Sequence, residues 1–224
     1  MGPDDLLLTA RGDVFQVLTA CKAAQALAEA LSGIATAAGR IVQSLREAGL
    51  DVPVACTRKH FPGTRVLAAK AVRAGGAVMH SHGLSTLLIR PEHRAFIEPP
   101  RQAAAIERLK SLQPEMLVVA QVDTFDDALA LAHAGADVLQ LEQFEPAQLQ
   151  ALRMTLSTRG LQPLIAPAGG VTLSNAVEYA RAGADFLVTS VPYLAAPADI
   201  RVVLSAPPKA PRSRIMPRAT VTAG

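Results

Sequence analysis

The chain has 224 residues, half of them apolar and 18% charged, enough to bury a full core in one large domain. Without Trp and with few aromatics, that core must be Ala, Leu and Val, which favours helices on a buried parallel sheet over a β-sandwich. Residues 201–224 hold Arg201, Lys209, Arg212, Arg214 and Arg218 and no acid, a local +5 that leaves −2 for residues 1–200, so the near-neutral body gives no reason to expect nucleic-acid or membrane partners.

Met1-Gly2-Pro3-Asp4-Asp5 is acidic where a signal peptide needs positive charge. No stretch approaches the roughly 18 uncharged apolar residues of a membrane span. The cytoplasm is the expected location. Leu6–Ala10 reads as a short strand closed by Arg11-Gly12-Asp13. Phe15 to about Leu31 reads as helix ending at Ser32-Gly33, and a second helix runs from about Ile34 to Ala48. Cys21 and Cys56, the two cysteines, are too few for a disulfide framework and lack metal-site spacing.

From there the pattern alternates. Strands are expected at Val52–Cys56, Leu84–Ile89, Met116–Ala120, Val138–Leu141, Leu164–Ala166 and Phe186–Val188. Helices are expected at Thr64–Ala74, Arg101–Leu112, Phe125–Ala134, Pro146–Ser157 and Leu173–Ala182. Ala134-Gly135-Ala136-Asp137-Val138 recurs as Ala182-Gly183-Ala184-Asp185-Phe186, and more loosely as Ala74-Gly75-Gly76-Ala77-Val78. Each is an Ala-rich helix end, a Gly suited to the left-handed cap and then a buried strand. Repeated βα units without a Gly-x-Gly-x-x-Gly predict a parallel α/β, TIM-like barrel of six or seven strands. Residues 204–224, rich in Pro and basic, read as a disordered tail.

Active sites of such barrels sit at the C-terminal strand ends. Thr57-Arg58-Lys59-His60, closed by Pro62-Gly63, offers donors for an anion; the bland alternative is a solvated basic loop. His80-Ser81-His82-Gly83 could bind metal, but with no third ligand in a recognised spacing, hydrogen bonding or a structural role fits the pair better. Arg90 ends its strand; Gln121 and Glu142 follow theirs, and an acid there suits Mg²⁺ or sugar hydroxyls. Ala168-Gly169-Gly170 and Thr189-Ser190 follow late strands, where Gly-rich backbone cradles phosphate, although Gly-Gly also makes plain turns. The combination points to joining a carboxylate-bearing molecule to a phosphosugar.

Thr57-Arg58-Lys59 with Pro62-Gly63 and Arg65, Ala71-Val72-Arg73-Ala74-Gly75-Gly76, His80 and Leu31-Ser32-Gly33-Ile34-Ala35 resemble the nicotinate-nucleotide pyrophosphorylase, or quinolinate phosphoribosyltransferase, family. Residues 57–63, Lys22-Ala23-Ala24-Gln25 and Thr189-Ser190-Val191-Pro192-Tyr193 resemble more closely its ModD branch, named as pyrophosphorylases and associated with molybdate transport. The resemblance covers roughly residues 5–203. It implies a pentosyltransferase that moves phosphoribose from phosphoribosyl pyrophosphate to a carboxylate-bearing heterocycle with Mg²⁺. It also implies a homodimer or higher oligomer in which Lys22 of one subunit completes the other's site. Arg58, Lys59, His60, His80, Ser81 and Arg90 would then bind the acid substrate, and Ala168, Gly169, Gly170 and Ser190 the phosphates. Lys59, Gln121 and Glu142 would stand at the reacting centre, with Glu142 the metal ligand. Residues 1–43 would be the remnant of an N-terminal α/β sandwich domain and its connecting helices, and 44–203 the barrel.

Three departures bear on the acceptor. Ser81 stands where the family places Arg, Gln121 where it places an acid, and Arg90 where it places Lys, which points away from quinolinate itself. Two other classes stay open: a non-catalytic phosphate-, oxyanion- or nucleotide-binding protein of a transport operon, and a phosphosugar aldolase using Lys59 as a Schiff base.

Overall fold

The computed structural model describes residues 5–80 and 86–205. Its strands are β1 (Val54–Cys56), β2 (Val78–Met79), β3 (Thr86–Ile89), β4 (Leu117–Val122), β5 (Val138–Glu142), β6 (Leu164–Ala168) and β7 (Leu187–Thr189). The helices are α1 (Val14–Glu47), α2 (Arg65–Ala74), α3 (Pro91–Arg94), α4 (Pro99–Leu112), α5 (Phe125–His133), α6 (Pro146–Thr158) and α7 (Ala176–Arg181). A short 3-10 turn, Val191–Leu194, follows β7. The strands pair in parallel in two sheets, ordered β2-β1-β7 and β3-β4-β5-β6. Read in a circle they keep chain order, the order of the α/β barrel expected with six or seven strands, here seven among the described residues. One seam is bridged where Asp185 N donates to Ile165 O (2.8 Å). The other, between β2 and β3, contains residues 81–85 and lies outside the described residues.

Both faces of the central strands β1, β4, β5, β6 and β7 are largely buried, as their apolar runs require, while β2 and β3 are partly exposed. The outer face, with Val118, Leu139, Leu141 and Ile165, packs on helix residues such as Leu149, Leu152 and Leu156. Leu149, Leu152 and Leu156 recur at helical spacing on α6, so one stripe of the helix meets the sheet. The inner face is smaller: Ala55, Val119, Val138, Ala166, Ala168 and Val188. Such residues fill the barrel floor without closing its mouth.

The repeated Ala-Gly-Ala-Asp turns explain how the strands are held. Gly135 (φ +89°) and Gly183 (φ +103°) adopt the left-handed conformation that a Cβ disfavours. The aspartate that follows each then reaches back one strand. Asp137 Oδ2 accepts from Val118 N (2.8 Å) at the start of β4 while Lys110 of α4 pairs with its other oxygen. Asp185 Oδ2 accepts from Ile165 N (2.6 Å) at the start of β6 and from the Arg153 guanidinium of α6. Helix, strand and next strand are tied at one carboxylate, twice, at the N-terminal end of the barrel.

Three expectations are corrected. Leu6–Ala10 forms no strand, for it meets no ladder partner among the described residues, and Leu6 and Leu8 are exposed. Ser32-Gly33 does not break a helix: α1 runs unbroken for 34 residues, N-capped by Asp13, whose Oδ1 accepts from Phe15 N (2.9 Å). Gly33 serves packing instead, because a Cβ there would overlap Ala196 O and lie 3.3 Å from Pro197 Cα. Finally, the strand expected after Ala74-Gly75-Gly76 is only the two-residue β2, with Val78 exposed rather than buried, and α3 is absent from the sequence reading because one turn is too short for periodicity to register. No described helix is long and apolar enough to cross a membrane.

Asp185→Ala should lower stability by about 2–3 kcal/mol, since it removes a charged hydrogen bond and leaves Ile165 N without an acceptor. Urea unfolding should show the loss, with a smaller one, about 1 kcal/mol, for Asp185→Asn.

Candidate functional site

The strands run one or two residues beyond their expected ends, so Gln121, Glu142 and Ala168 are the last turns of strand rather than loop residues. Their positions at the C-terminal rim are unchanged. The first loop is anchored from below. Thr57 N donates to Thr189 O (2.9 Å), and Thr57 Oγ1 lies 2.9 Å from Ser190 Oγ, so the loops after β1 and β7 meet. Tyr193 OH donates to Thr57 O (2.6 Å) and lies 3.3 Å from Met79 S, while its ring meets His60 edge-on at 6.0 Å. Burial, and then the nearby Cys56, push the Tyr193 hydroxyl up to about 12, so it stays a neutral donor. Arg58 and Lys59 remain exposed above this anchor, and neither side chain is ion-paired among the described residues. A rigid base under two free cations suits anion capture.

Within the mouth, His80 Nε2 lies 2.8 Å from Gln140 Oε1, and its backbone N donates to Cys56 O (2.7 Å). Gln121 Nε2 donates to Glu142 Oε2 (3.4 Å) across the neighbouring strands. Gly169 (φ +72°) presses its Cα against the same carboxylate: a Cβ there would overlap Glu142 Oε1. Gln143, the non-glycine residue with a left-handed backbone (φ 59°), turns the chain just after Glu142 and donates its N–H to Ala168 O (2.9 Å). The Gly169-Gly170 loop is fixed further by Asn175, whose Nδ2 donates to Gly170 O (2.9 Å) and whose Oδ1 accepts from Thr172 N (2.7 Å). Thr189 Oγ1 donates to Val171 O (2.7 Å) and accepts from Val191 N (3.1 Å). An acid, the close-packed Gly169, the open Gly170 and the Ser190 hydroxyl are thereby held by tightly bonded backbone.

The remaining expected residues are placed unevenly. Arg90 is exposed at the end of β3, 3.8 Å from Glu92. Lys22 is exposed on α1 and bonds to Gln25 Oε1 (3.1 Å). Ser81 lies outside the described residues. A largely apolar groove of about 590 Å³, lined in part by Ala55, Val78, Met79 and Phe186, meets the site only at His80. No group of three or more His, Cys, Asp or Glu that could hold a metal occurs among the described residues.

Sequence reasoning missed Arg94, Gln140 and the anchoring role of Tyr193. Arg94 is 6% exposed. It binds both carboxylate oxygens of Asp127 (2.7 and 2.6 Å), Gln102 Oε1 (2.9 Å) and the carbonyl of Gln121 (3.0 Å). It therefore fixes the end of β4 where Gln121 stands. Its setting, between His93 and Ala95 on a four-residue helix, carries no pattern that marks a buried charge. Gln140 is legible only as the one polar residue inside the run Val138–Leu141.

Residues 34–203 match the family model described as quinolinate phosphoribosyl transferase, C-terminal domain. The protein named as a pyrophosphorylase, ModD, in Rhodobacter capsulatus is 46% identical over 187 residues, covering 81% of this chain and 70% of that protein. The nicotinate-nucleotide pyrophosphorylase (carboxylating) of Mycobacterium leprae is 32% identical over 182 residues, 81% of this chain and 63% of that one. Among solved structures, the nicotinate-nucleotide pyrophosphorylase of Francisella tularensis superposes with TM-score 0.70 at 26% identity, over 83% of this chain and 64% of that chain. NadC of Streptococcus pyogenes gives 0.71 at 25%, over 84% and 65%. The chain thus spans a little under two thirds of these solved structures.

Two outcomes are expected. Gly169→Ala should displace Glu142 or the loop, lowering stability by about 1–3 kcal/mol, and Gly170→Ala, which meets open space, should not. Burial pushes the Cys56 thiol up to about 11, so only about a thousandth of it is thiolate at pH 8. Mass spectrometry after iodoacetamide at pH 8 should find the half-exposed Cys21 modified and Cys56 intact until the protein is unfolded.

Proposed function

Because the chain belongs to the quinolinate phosphoribosyltransferase family, we propose that it transfers phosphoribose from phosphoribosyl pyrophosphate to a carboxylate-bearing heterocycle, releasing pyrophosphate, in the manner its ModD relatives' name suggests. The observation that carries this reading is the junction of Gly169 with Glu142. It sets a backbone fit for phosphate directly beside an acid fit for ribose hydroxyls, opposite the Arg58-Lys59 loop fit for a carboxylate.

In the reaction the bond from the ribose anomeric carbon to pyrophosphate breaks and a bond from that carbon to a ring nitrogen forms, through an oxocarbenium-like state. Arg58 and Lys59 grip the acid and aim its nitrogen at the sugar. Gly169, Gly170 and Ser190 hold phosphate oxygens, and Glu142 takes the ribose hydroxyls and opposes the developing positive charge. The chain contributes positioning and electrostatics. A Mg²⁺ ion would be held by Glu142 and the substrate's own phosphates, a common arrangement for this ion, and would neutralise the leaving pyrophosphate. With Gln121 neutral and bonded to Glu142, this site brings one carboxylate to the metal, so most ligands must come from substrate and water.

A second copy of the chain completes the site in this reading. Phe15, Leu18 and Lys22 recur at helical spacing on α1, and Val14, Phe15 and Leu18 are largely exposed, an apolar stripe with a cation at its end. Mixing Lys22→Ala with Lys59→Ala protein should restore part of the activity that each lacks, because a mixed dimer contains one intact site. No restoration from dimeric variants would separate Lys22 from the site.

The Gln121–Glu142 bond also favours a second reading, a protein that binds nucleotide or oxyanion without turnover. Release of pyrophosphate that requires Mg²⁺ and one of a panel of pyridine carboxylates supports the transferase. Tight nucleotide or molybdate binding by calorimetry with no release supports the binder. For the transferase, Arg58→Ala and Lys59→Ala should each weaken acid binding by about a hundredfold at unchanged melting temperature. Unchanged affinity would remove the loop from the site.

A further inference from the structure

Three polar residues are buried among those described: Arg94, Gln140 and Thr189. Arg94 is tied to Asp127, Gln102 and the Gln121 carbonyl, and Thr189 to the Val171 carbonyl. Gln140 bonds a side chain of the candidate site instead. It is the central residue of β5 and 7% exposed. Strand residues two apart share a face, so it lies on the interior face with Val138 below and Glu142 above. Its register partners are Gln121 on β4 and Ala166 on β6. Ala166 is too small to cover the amide, and the polar neighbours on this face, Gln121 and Glu142, bond each other.

The amide has one acceptor atom and one nitrogen with two donors. Oε1 is used by His80 Nε2 at 2.8 Å. Among the described residues Nε2 of Gln140 has no partner. It is not one of the fully buried side-chain atoms left unpaired, which among the described residues is Arg94 Nε alone, so Nε2 keeps an opening to solvent through which a ligand can reach it. This one sits one bond from His80, which lies at the acid pocket in the transferase reading. The donor is uncharged, so it selects for a lone pair rather than for a negative charge.

We propose that Gln140 is a specificity-determining residue of the acceptor pocket. Its Nε2 receives a neutral hydrogen-bond acceptor, a ring-bound carbonyl oxygen, on the heterocyclic acid, while Oε1 keeps His80 in the tautomer that carries its proton on Nε2. The acceptor is then an oxo-substituted heterocyclic monocarboxylate: one carboxylate for Arg58 and Lys59, one carbonyl for Gln140. This rests on the phosphoribosyl-transfer reading.

The test compares wild type, Gln140→Leu and Gln140→Glu with nicotinate and its 2-, 4- and 6-oxo derivatives. Pyrophosphate release is followed with phosphoribosyl pyrophosphate and Mg²⁺, and affinity by calorimetry. Wild type should prefer at least one oxo acid over nicotinate by about tenfold or more, as expected of a site built to bond that group. Gln140→Leu should erase the preference, bringing the oxo acids down to nicotinate, while the release of His80 lowers turnover of all four acids alike. Gln140→Glu, which conserves volume should the leucine variant fail to fold, should also lose it, since a carboxylate cannot donate to a carbonyl. The inference is overturned by a preference that survives both substitutions, or by equal treatment of all four acids in the wild type. If wild type binds and converts none of the acids, the transferase reading itself fails and Gln140 falls with it.

Discussion

The two carboxylates of Asp137 and Asp185 hold the barrel floor on which every rim residue depends. Each accepts the first free N–H of the preceding strand and pairs with a cation from the helix before that strand. A parallel strand cannot be fixed by a hairpin, so its register must be set by the βα units on either side. The glycine before each aspartate makes this possible, since only a left-handed turn brings the carboxylate back under the strand it left. With β4 and β6 fixed at their starts, their far ends place Gln121 and Ala168 at defined heights. Glu142 and Gly169 then come into contact across β5 and β6.

At the opposite end of the strands the chain exchanges bulk for polarity. Ala55, Ala166 and Ala168 leave room that a larger core residue would fill, and His80, Gln121, Gln140 and Glu142 occupy the edge of that room. The four are linked in two pairs, one amide to an imidazole and one amide to a carboxylate. Of these four only Glu142 is acidic, and the cations of the first loop are exposed. In the proposed transfer that balance suits a substrate with its own anionic groups. Tyr193 and Arg94 stiffen the two sides, one beneath the Thr57 carbonyl and the other beneath the Gln121 carbonyl.

Much of this was legible in the residues. The Ala-Gly-Ala-Asp repeats announced the βα unit, and their glycines have the positive φ that the pattern required. Thr57–His60, Arg90, Gln121, Glu142, Gly169 and Ser190 all lie at the expected strand ends, because a buried parallel strand fixes where its loop begins to within a residue or two. Gly33 misled, since a glycine that breaks a helix and one that lets another chain segment approach look alike in one dimension. Leu6–Ala10 misled for the complementary reason: strand-like composition forms a strand only beside a partner with a free edge. Arg94 gave no warning, since its burial depends on Asp127 and on the Gln121 carbonyl, both distant in sequence.

The sequence by itself determined the alternation of strand and helix, the parallel barrel, the cationic loop and the family, because period, turn residues and contiguous motifs are local properties. Tertiary structure alone decided that α1 is one helix, that Tyr193 and Arg94 are struts, and that Gln140 meets His80. It also brought Gly169 against Glu142. These are contacts between residues tens of positions apart, set by the register of parallel strands and by how much space small interior residues leave between them, and neither quantity is written in any local stretch of chain.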